Sequence, residues 1–105
     1  MNYADIERLA LALPQTVTGT SYGTPALKVG KKLLARLKED GETIVLCAVL
    51  PDERALLIEI APEIFYFTDH YAGYPTVLVR LAAADPVQMA GLLRQSWQRL
   101  ASKKR

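Results

Sequence analysis

The sequence predicts an α+β fold in two layers, an antiparallel sheet with helices packed on one face. Three observations carry that expectation. Helical and strand patterns are segregated along the chain rather than alternating, which disfavours a parallel sheet of βαβ units. Strand-like runs are joined by polar turns, and helix-like runs open at a capping residue or a proline. The order read from these patterns is helix, three strands, helix, two strands, helix, in one domain spanning residues 1–105.

Asn2 caps the first helix, with Asp5 three residues on in capping-box position. Ile6, Leu9 and Leu13 recur at helical spacing, and Pro14 stops the element. Residues 15–25, rich in Thr, Gly, Ser and Pro, read as a loop. A hairpin follows, in which Leu33, Ala35 and Leu37 alternate with Leu34, Arg36 and Lys38. A two-residue turn at Gly30-Lys31 would pair Lys28 with Leu33 and put a charge on the core face. A three-residue loop, Gly30-Lys31-Lys32, pairs Val29 with Leu33 and Leu27 with Ala35 and keeps one face apolar. The three-residue loop is therefore expected, with Lys28, Leu34, Arg36 and Lys38 sharing the outer face.

Glu39-Asp40-Gly41-Glu42 is a polar turn, and Thr43–Val49 is apolar on both faces, as a central strand is. Pro51, Asp52 and Glu53 suit a helix first turn, where a missing N–H costs nothing and acids meet the positive dipole end. Pro62 closes that helix. Residues 64–68 (IFYFT) and 76–81 (TVLVRL) are β-branched and aromatic, hence two more strands. Asp85 caps the last helix, with Pro86 at its first position, and Met89, Leu93, Ser96, Trp97 and Leu100 form its inner stripe. The sheet face away from the helices is expected to be open to solvent. Lys28, Arg36, Lys38 and, by alternation with Val77, Val79 and Leu81, Arg80 would stand on it.

Composition narrows the class. The chain has 105 residues, 50% hydrophobic and 23% charged, an ordinary globular balance that argues against disorder. The opening residues lack the basic-then-apolar pattern of a signal peptide, and no apolar run approaches the roughly 18 residues of a membrane span. Cys47 is the single cysteine, which excludes an internal disulfide and fits a reducing cytoplasm. The net charge of +2 conceals a separation of sign. Residues 8–38 hold six bases and no acid, residues 39–69 hold eight of the 11 acids against Arg54 alone, and residues 70–105 hold six bases against Asp85. Such asymmetry bears on partners, although the runs can also be solvated faces that meet as neighbours in the fold.

Nucleotide motifs fail on spacing and context. A phosphate-binding P-loop needs four residues between its glycine and the Gly-Lys pair, then Ser or Thr, and must open a helix. Here six residues separate Gly23 from Gly30, Lys31 is followed by Lys32, and a strand comes next. Gly19 and Gly23 likewise do not make a dinucleotide fingerprint. His70, beside Asp69, is the only histidine, and one His with one Cys cannot supply the three or four ligands of a zinc site. His70 beside Asp69 could serve as an acid–base group and Ser21 as a nucleophile. The simpler reading has His70 as a loop residue bonded to backbone or packed on Tyr71, and Cys47 reads as an inert core thiol in mid-strand. No catalytic residue, metal or cofactor is expected, and that absence disfavours an enzyme without excluding one. What remains is a basic outer face near three loop tyrosines, Tyr22, Tyr71 and Tyr74. Cations for phosphates with rings for stacking are the general grammar of nucleic-acid contact. The same rings also serve simply to pack loops.

The stretches TSYGTPALKVGKKLLARL and HYAGYPTVLVRL, with Pro51–Arg54 opening a helix between them, resemble the MmcQ/YjbR family of small bacterial proteins. The match runs in order over nearly the whole chain. The resemblance implies a YjbR-like fold similar to type III secretion chaperones and to the frataxin homologue CyaY. It also implies the family's description as DNA-binding proteins that use a double wing of hairpins. The family signature falls on Tyr22, Gly23, Pro25, Lys28, His70, Tyr71, Gly73, Tyr74 and Pro75. Leu27 stands where relatives often carry Phe, and Ala72 and Thr76 where they often carry Arg and Trp, which weakens any polyanion contact of the second loop.

The expected site is thus a nucleic-acid contact by Lys28, Lys31, Lys32, Arg36, Lys38 and Arg80 with Tyr22, His70 and Tyr74, and DNA as the partner. Two alternatives stand beside it: a protein-interaction or chaperone-like module using the open sheet, and a small-ligand pocket or weak enzyme where His70, Tyr22 and Tyr74 converge.

Overall fold

A computed structural model describes residues 1–102; Lys103, Lys104 and Arg105, part of the basic C-terminal stretch, lie outside the described residues. Helix α1 (Tyr3–Leu11) starts where expected, with both halves of the Asn2–Asp5 capping box formed. Each half satisfies a backbone N–H that the first turn would otherwise leave bare. Strands β1 (Thr16–Ser21), β2 (Thr24–Val29), β3 (Lys32–Leu37) and β4 (Thr43–Cys47) follow, then α2 (Pro51–Ile60), β5 (Phe65–Tyr66), β6 (Thr76–Arg80) and α3 (Pro86–Ser102). They form one antiparallel sheet in the order β1-β2-β3-β4-β6-β5, with β4 central as its two-sided apolar pattern requires.

The core lies between the sheet and the helices. Leu27, Ala35, Leu46 and Val77 form one row of it and Ile44, Val79 and Phe65 another, all fully buried against Ile6, Met89 and Leu93 of the helices. The expected stripe of α3 is confirmed at Met89, Leu93 and Ser96, and Asp85 accepts from the Gln88 N–H at 2.9 Å.

Three features differ from the sequence reading. First, residues 15–25 are not a loop: four strands, not three, precede α2, and β1 pairs with β2 over all six of its residues. Thr16, Val17, Thr18 and Thr20 carry β-branched preference that the loop-like Gly and Ser content masked. Second, the β2–β3 turn is the two-residue Gly30-Lys31, with Gly30 at φ 62° and Val29 opposite Lys32. Lys28 does pair with Leu33, yet both point outward, and a register shift between Leu27 and Lys28 brings Leu27 opposite Ala35. A bulge absorbs one residue and re-aims the strand. Leu34 is that residue, so it sits fully buried in the core rather than on the outer face.

Third, the outer face is not open. The segment from Phe67 to Pro75, with a short 3-10 turn at Asp69–Tyr71, folds back across it. A row running Gly19, Ala26, Arg36, Val45, Leu78, Tyr66 crosses all six strands on that face. Its middle is covered: Arg36 is 5%, Val45 2% and Leu78 0% exposed.

Candidate functional site

The β1–β2 hairpin closes with Tyr22 and Gly23, both at positive φ (55° and 80°). Two left-handed residues match the twist of a two-residue hairpin, but a ring-bearing side chain there costs about 1–2 kcal/mol against glycine. The turn holds Tyr22 83% exposed, its ring 5.2 Å from the Arg36 guanidinium.

Arg36 rises from β3 beneath it. Its Nη1 donates to Thr24 Oγ1 at 3.2 Å, the Leu37 carbonyl at 3.4 Å and Glu39 Oε2 at 3.4 Å, and its Nη2 donates to the Tyr71 hydroxyl at 2.8 Å. A buried guanidinium is tolerated because it is paired and bonded in this way. Tyr71 in turn meets His70 edge-on at 4.8 Å between ring centres, and Tyr74 lies 6.4 Å from Tyr71 and 6.3 Å from His70. These rings, with Arg36 and Glu39, border an open pocket of about 520 Å³. Leu33, Val45 and Cys47 supply its apolar surface. The three rings proposed to converge do converge, about one pocket.

Arg54, outside the pocket lining, holds the segment that carries these rings. Its Nη1 donates to the carbonyls of Tyr71, Tyr74 and Thr76 at 3.1–3.2 Å and its Nη2 to that of Ala72 at 3.0 Å, while the guanidinium stacks 4.2 Å above Phe67. One side chain of α2 thereby fixes the path of the segment that carries His70, Tyr71 and Tyr74. Cys47 also differs from the expected core thiol. It faces this pocket, and burial pushes the thiol up to about 12, so it is a neutral wall group.

The expected cations separate into groups. Lys28 lies on the outer face with its stem along Gly19, where an added Cβ would sit 3.7 Å from Lys28 Cδ and Cε. Lys31 and Lys32 are exposed at the opposite end of β2 from Tyr22, and Lys32 Nζ donates to the Leu100 carbonyl at 3.5 Å on the helix side of the sheet. Lys38 follows the end of β3 and is half-buried. Arg80 is on the outer face as expected, stacked 4.0 Å over Tyr66 and donating to the Pro62 carbonyl at 3.1 Å. Arg36 is on the predicted face but buried and internally bonded, so it is not a surface phosphate contact. Acids interleave with the bases: Glu39 holds Arg36, and Asp40 accepts from the backbone of Glu42 and Thr43 in the same turn.

Sequence reasoning missed Arg54, the coupling of Tyr71 to Arg36, and the pocket position of Cys47. Two signals pointed there: Arg54 is the one base among the acids of residues 39–69, and the HYAGYP run is too aromatic for a plain loop. Among the described residues no group of three His, Cys, Asp or Glu side chains could hold a metal ion, and no helix is long and apolar enough to cross a membrane.

Comparison with known proteins agrees with the family resemblance. No solved structure matches the chain. Uncharacterized proteins of Mycobacterium bovis and of two strains of Mycobacterium tuberculosis are each 30% identical to it, over 94% of this chain and 88% of theirs. The family model described as YjbR matches residues 11–99, a stretch that includes both aromatic loops and the α2 clamp, and the chain belongs to the YjbR family.

Proposed function

We propose that this domain binds nucleic acid, and that it does so chiefly by stacking single-stranded bases rather than by laying a basic sheet face on a duplex. The observation that carries the reading is Tyr22: a bulky ring kept at positive φ and 83% exposed, at the mouth of a ring-lined pocket. Strain held at an exposed residue points to use of that residue. Exposed Tyr74 and His70 add stacking surfaces around the same opening, and stacking on such rings is tolerant of sequence. Lys28 on the outer face, and Lys31 and Lys32 at the far end of the β2–β3 hairpin, supply phosphate contacts away from that opening. No catalytic role is assigned to the site, and DNA in a reducing cytoplasm is the partner that the family description and the free Cys47 favour.

Fluorescence anisotropy of labelled single-stranded and duplex oligonucleotides against salt tests this. Single strands bind more tightly, and Tyr22→Ala or Tyr74→Ala each weaken binding by about 1–3 kcal/mol. Replacing Lys31 and Lys32 together with Ala shrinks the slope of log K on log salt by about 1.4, at about 0.7 per single-strand phosphate. Absence of binding to either form at low salt sinks the proposal.

A protein-interaction reading rests on a different feature, the edge rather than the face of the sheet. Edge strand β1, TVTGTS, carries no charge or proline and pairs with β2 without a bulge, so it lacks the usual guards against added strands. A strict monomer in sedimentation, with no partner enriched by the purified domain, counts against it.

A further inference from the structure

We infer that the pocket beneath Tyr22 receives one unstacked nucleobase, held edge-on by Arg36 and stacked by the flanking tyrosines. This deepens the nucleic-acid reading and rests on it. The volume of about 520 Å³ lies within the roughly 300–1,000 Å³ of small-ligand sites, with room for a base and its sugar. The apolar surface of Leu33, Val45 and Cys47 suits a flat ring.

Two polar groups on the wall have unspent capacity. Arg36 has five N–H donors. The Nη1 pair and one Nη2–H serve its four partners, which leaves Nε–H and the second Nη2–H. Each of these can meet an acceptor on a base edge. Thr76 Oγ1 is buried, has no hydrogen-bond partner and belongs to a residue lining the same pocket. A buried hydroxyl left unpaired is costly, so a ligand atom that reaches it is favoured over an analogue lacking that atom.

Charge selects a neutral guest. Arg36 is already paired with Glu39 and already faces the Tyr22 ring. A carboxylate at the remaining N–H groups would stand close to the Glu39 carboxylate and be repelled by it, and an ammonium would meet the guanidinium. A neutral heterocycle with carbonyl and ring-nitrogen acceptors does neither, and needs no charge to be desolvated. An exit for the attached backbone also exists. A second cavity of about 410 Å³ shares Leu33, Cys47 and Pro75 with the first and extends to Lys32. A nucleotide seated in the first pocket can therefore run its phosphates toward the lysine turn.

The test titrates AMP, CMP, GMP and UMP, with ribose 5-phosphate as control, into the full ¹⁵N-labelled chain, alongside the oligonucleotide anisotropy above. At least one nucleotide shifts the amides of Tyr22, Cys47 and Tyr74 at concentrations up to about 10 mM, the weak end of affinities for such fragments. Ribose 5-phosphate leaves them in place, and Tyr74→Ala, at an exposed residue, weakens the nucleotide at least about fivefold, the low end expected for one stacked base. Equal shifts with ribose 5-phosphate would mean a phosphate site and overturn the inference. Oligonucleotide binding without any nucleotide shift in the pocket overturns it while leaving the nucleic-acid reading intact. Nucleotide shifts in the pocket without oligonucleotide binding support the pocket and overturn that broader reading.

Discussion

Replacing Arg54 with Met removes the clamp on residues 67–76 while keeping an unbranched stem to pack on α2. The wild-type guanidinium serves four backbone carbonyls, three of them through Nη1 at 3.1–3.2 Å. The two N–H groups of Nη1 are shared among three acceptors, so the cluster amounts to about three bonds of roughly 1 kcal/mol net each. The stack on Phe67 adds about 0.5–1 kcal/mol. The carbonyls of Tyr74 and Ala72 lie near solvent and regain water, whereas those of Tyr71 and Thr76 are more enclosed. Subtracting what water returns leaves a loss of about 2–4 kcal/mol, a large fraction of a small domain's stability. Urea unfolding followed by Trp97 fluorescence measures it. Hydrogen exchange should quicken at Tyr74 and Thr76, whose N–H groups bond within the same segment, to Tyr71 and Tyr74 carbonyls. A loss under about 0.5 kcal/mol, the range of an ordinary surface change, with unchanged exchange would refute the clamp.

Three further outcomes follow from the same geometry. Bonds from Glu42 and Thr43 N–H and the Thr43 hydroxyl hold the Asp40 carboxyl below its usual range. Its contribution is therefore present above the unfolded value near pH 4 and is lost as pH falls through the folded one; urea titrations from about pH 6 to 2 should show a shallower acid loss in Asp40→Asn than in the parent. Ala48 sits at φ 57°, so Ala48→Gly should raise the unfolding free energy by about 0.5–1 kcal/mol, and a decrease would show that the left-handed strain is absent. Because burial pushes the Cys47 thiol up to about 12, its reaction with a thiol-exchange reagent at pH 8 should be on the order of 10³ slower than that of a free cysteine, and rates within tenfold would place the thiol in water instead.

The class of the fold was legible because local signals agreed with the global one. Asn2, Pro51 and Asp85 each mark a helix start, and the two-sided apolar run of β4 could only be central. The edge strand β1 was not, since its one buried residue, Thr16, gives no alternation to read. The β2–β3 register failed for a related reason. The choice between turns assumed continuous pairing, and a bulge at Leu34 lets the shorter turn coexist with an apolar core face. Local pattern cannot announce an inserted residue whose only cause is the fit of two core rows.

The candidate site shows the same limit in electrostatic form. Alternation correctly put Arg36 on the outer face, but exposure depends on what crosses that face. Residues 67–75 cross it because Arg54, from another element, bonds their carbonyls, and that contact spans 17 to 22 positions in sequence. The separation of charge along the chain suffers likewise. Folding brings acidic turns onto basic elements, so Glu39 pairs with Arg36 and Glu53 with Arg99. Fewer cations reach solvent than the acid-free segment suggests, and those on the β2–β3 turn stand a strand's length from the exposed tyrosine. An interface built this way draws its affinity from rings more than from phosphates. Its salt dependence should accordingly be shallow, with a slope nearer the two or three phosphates within reach of the hairpin than the six or more of a basic duplex-binding face.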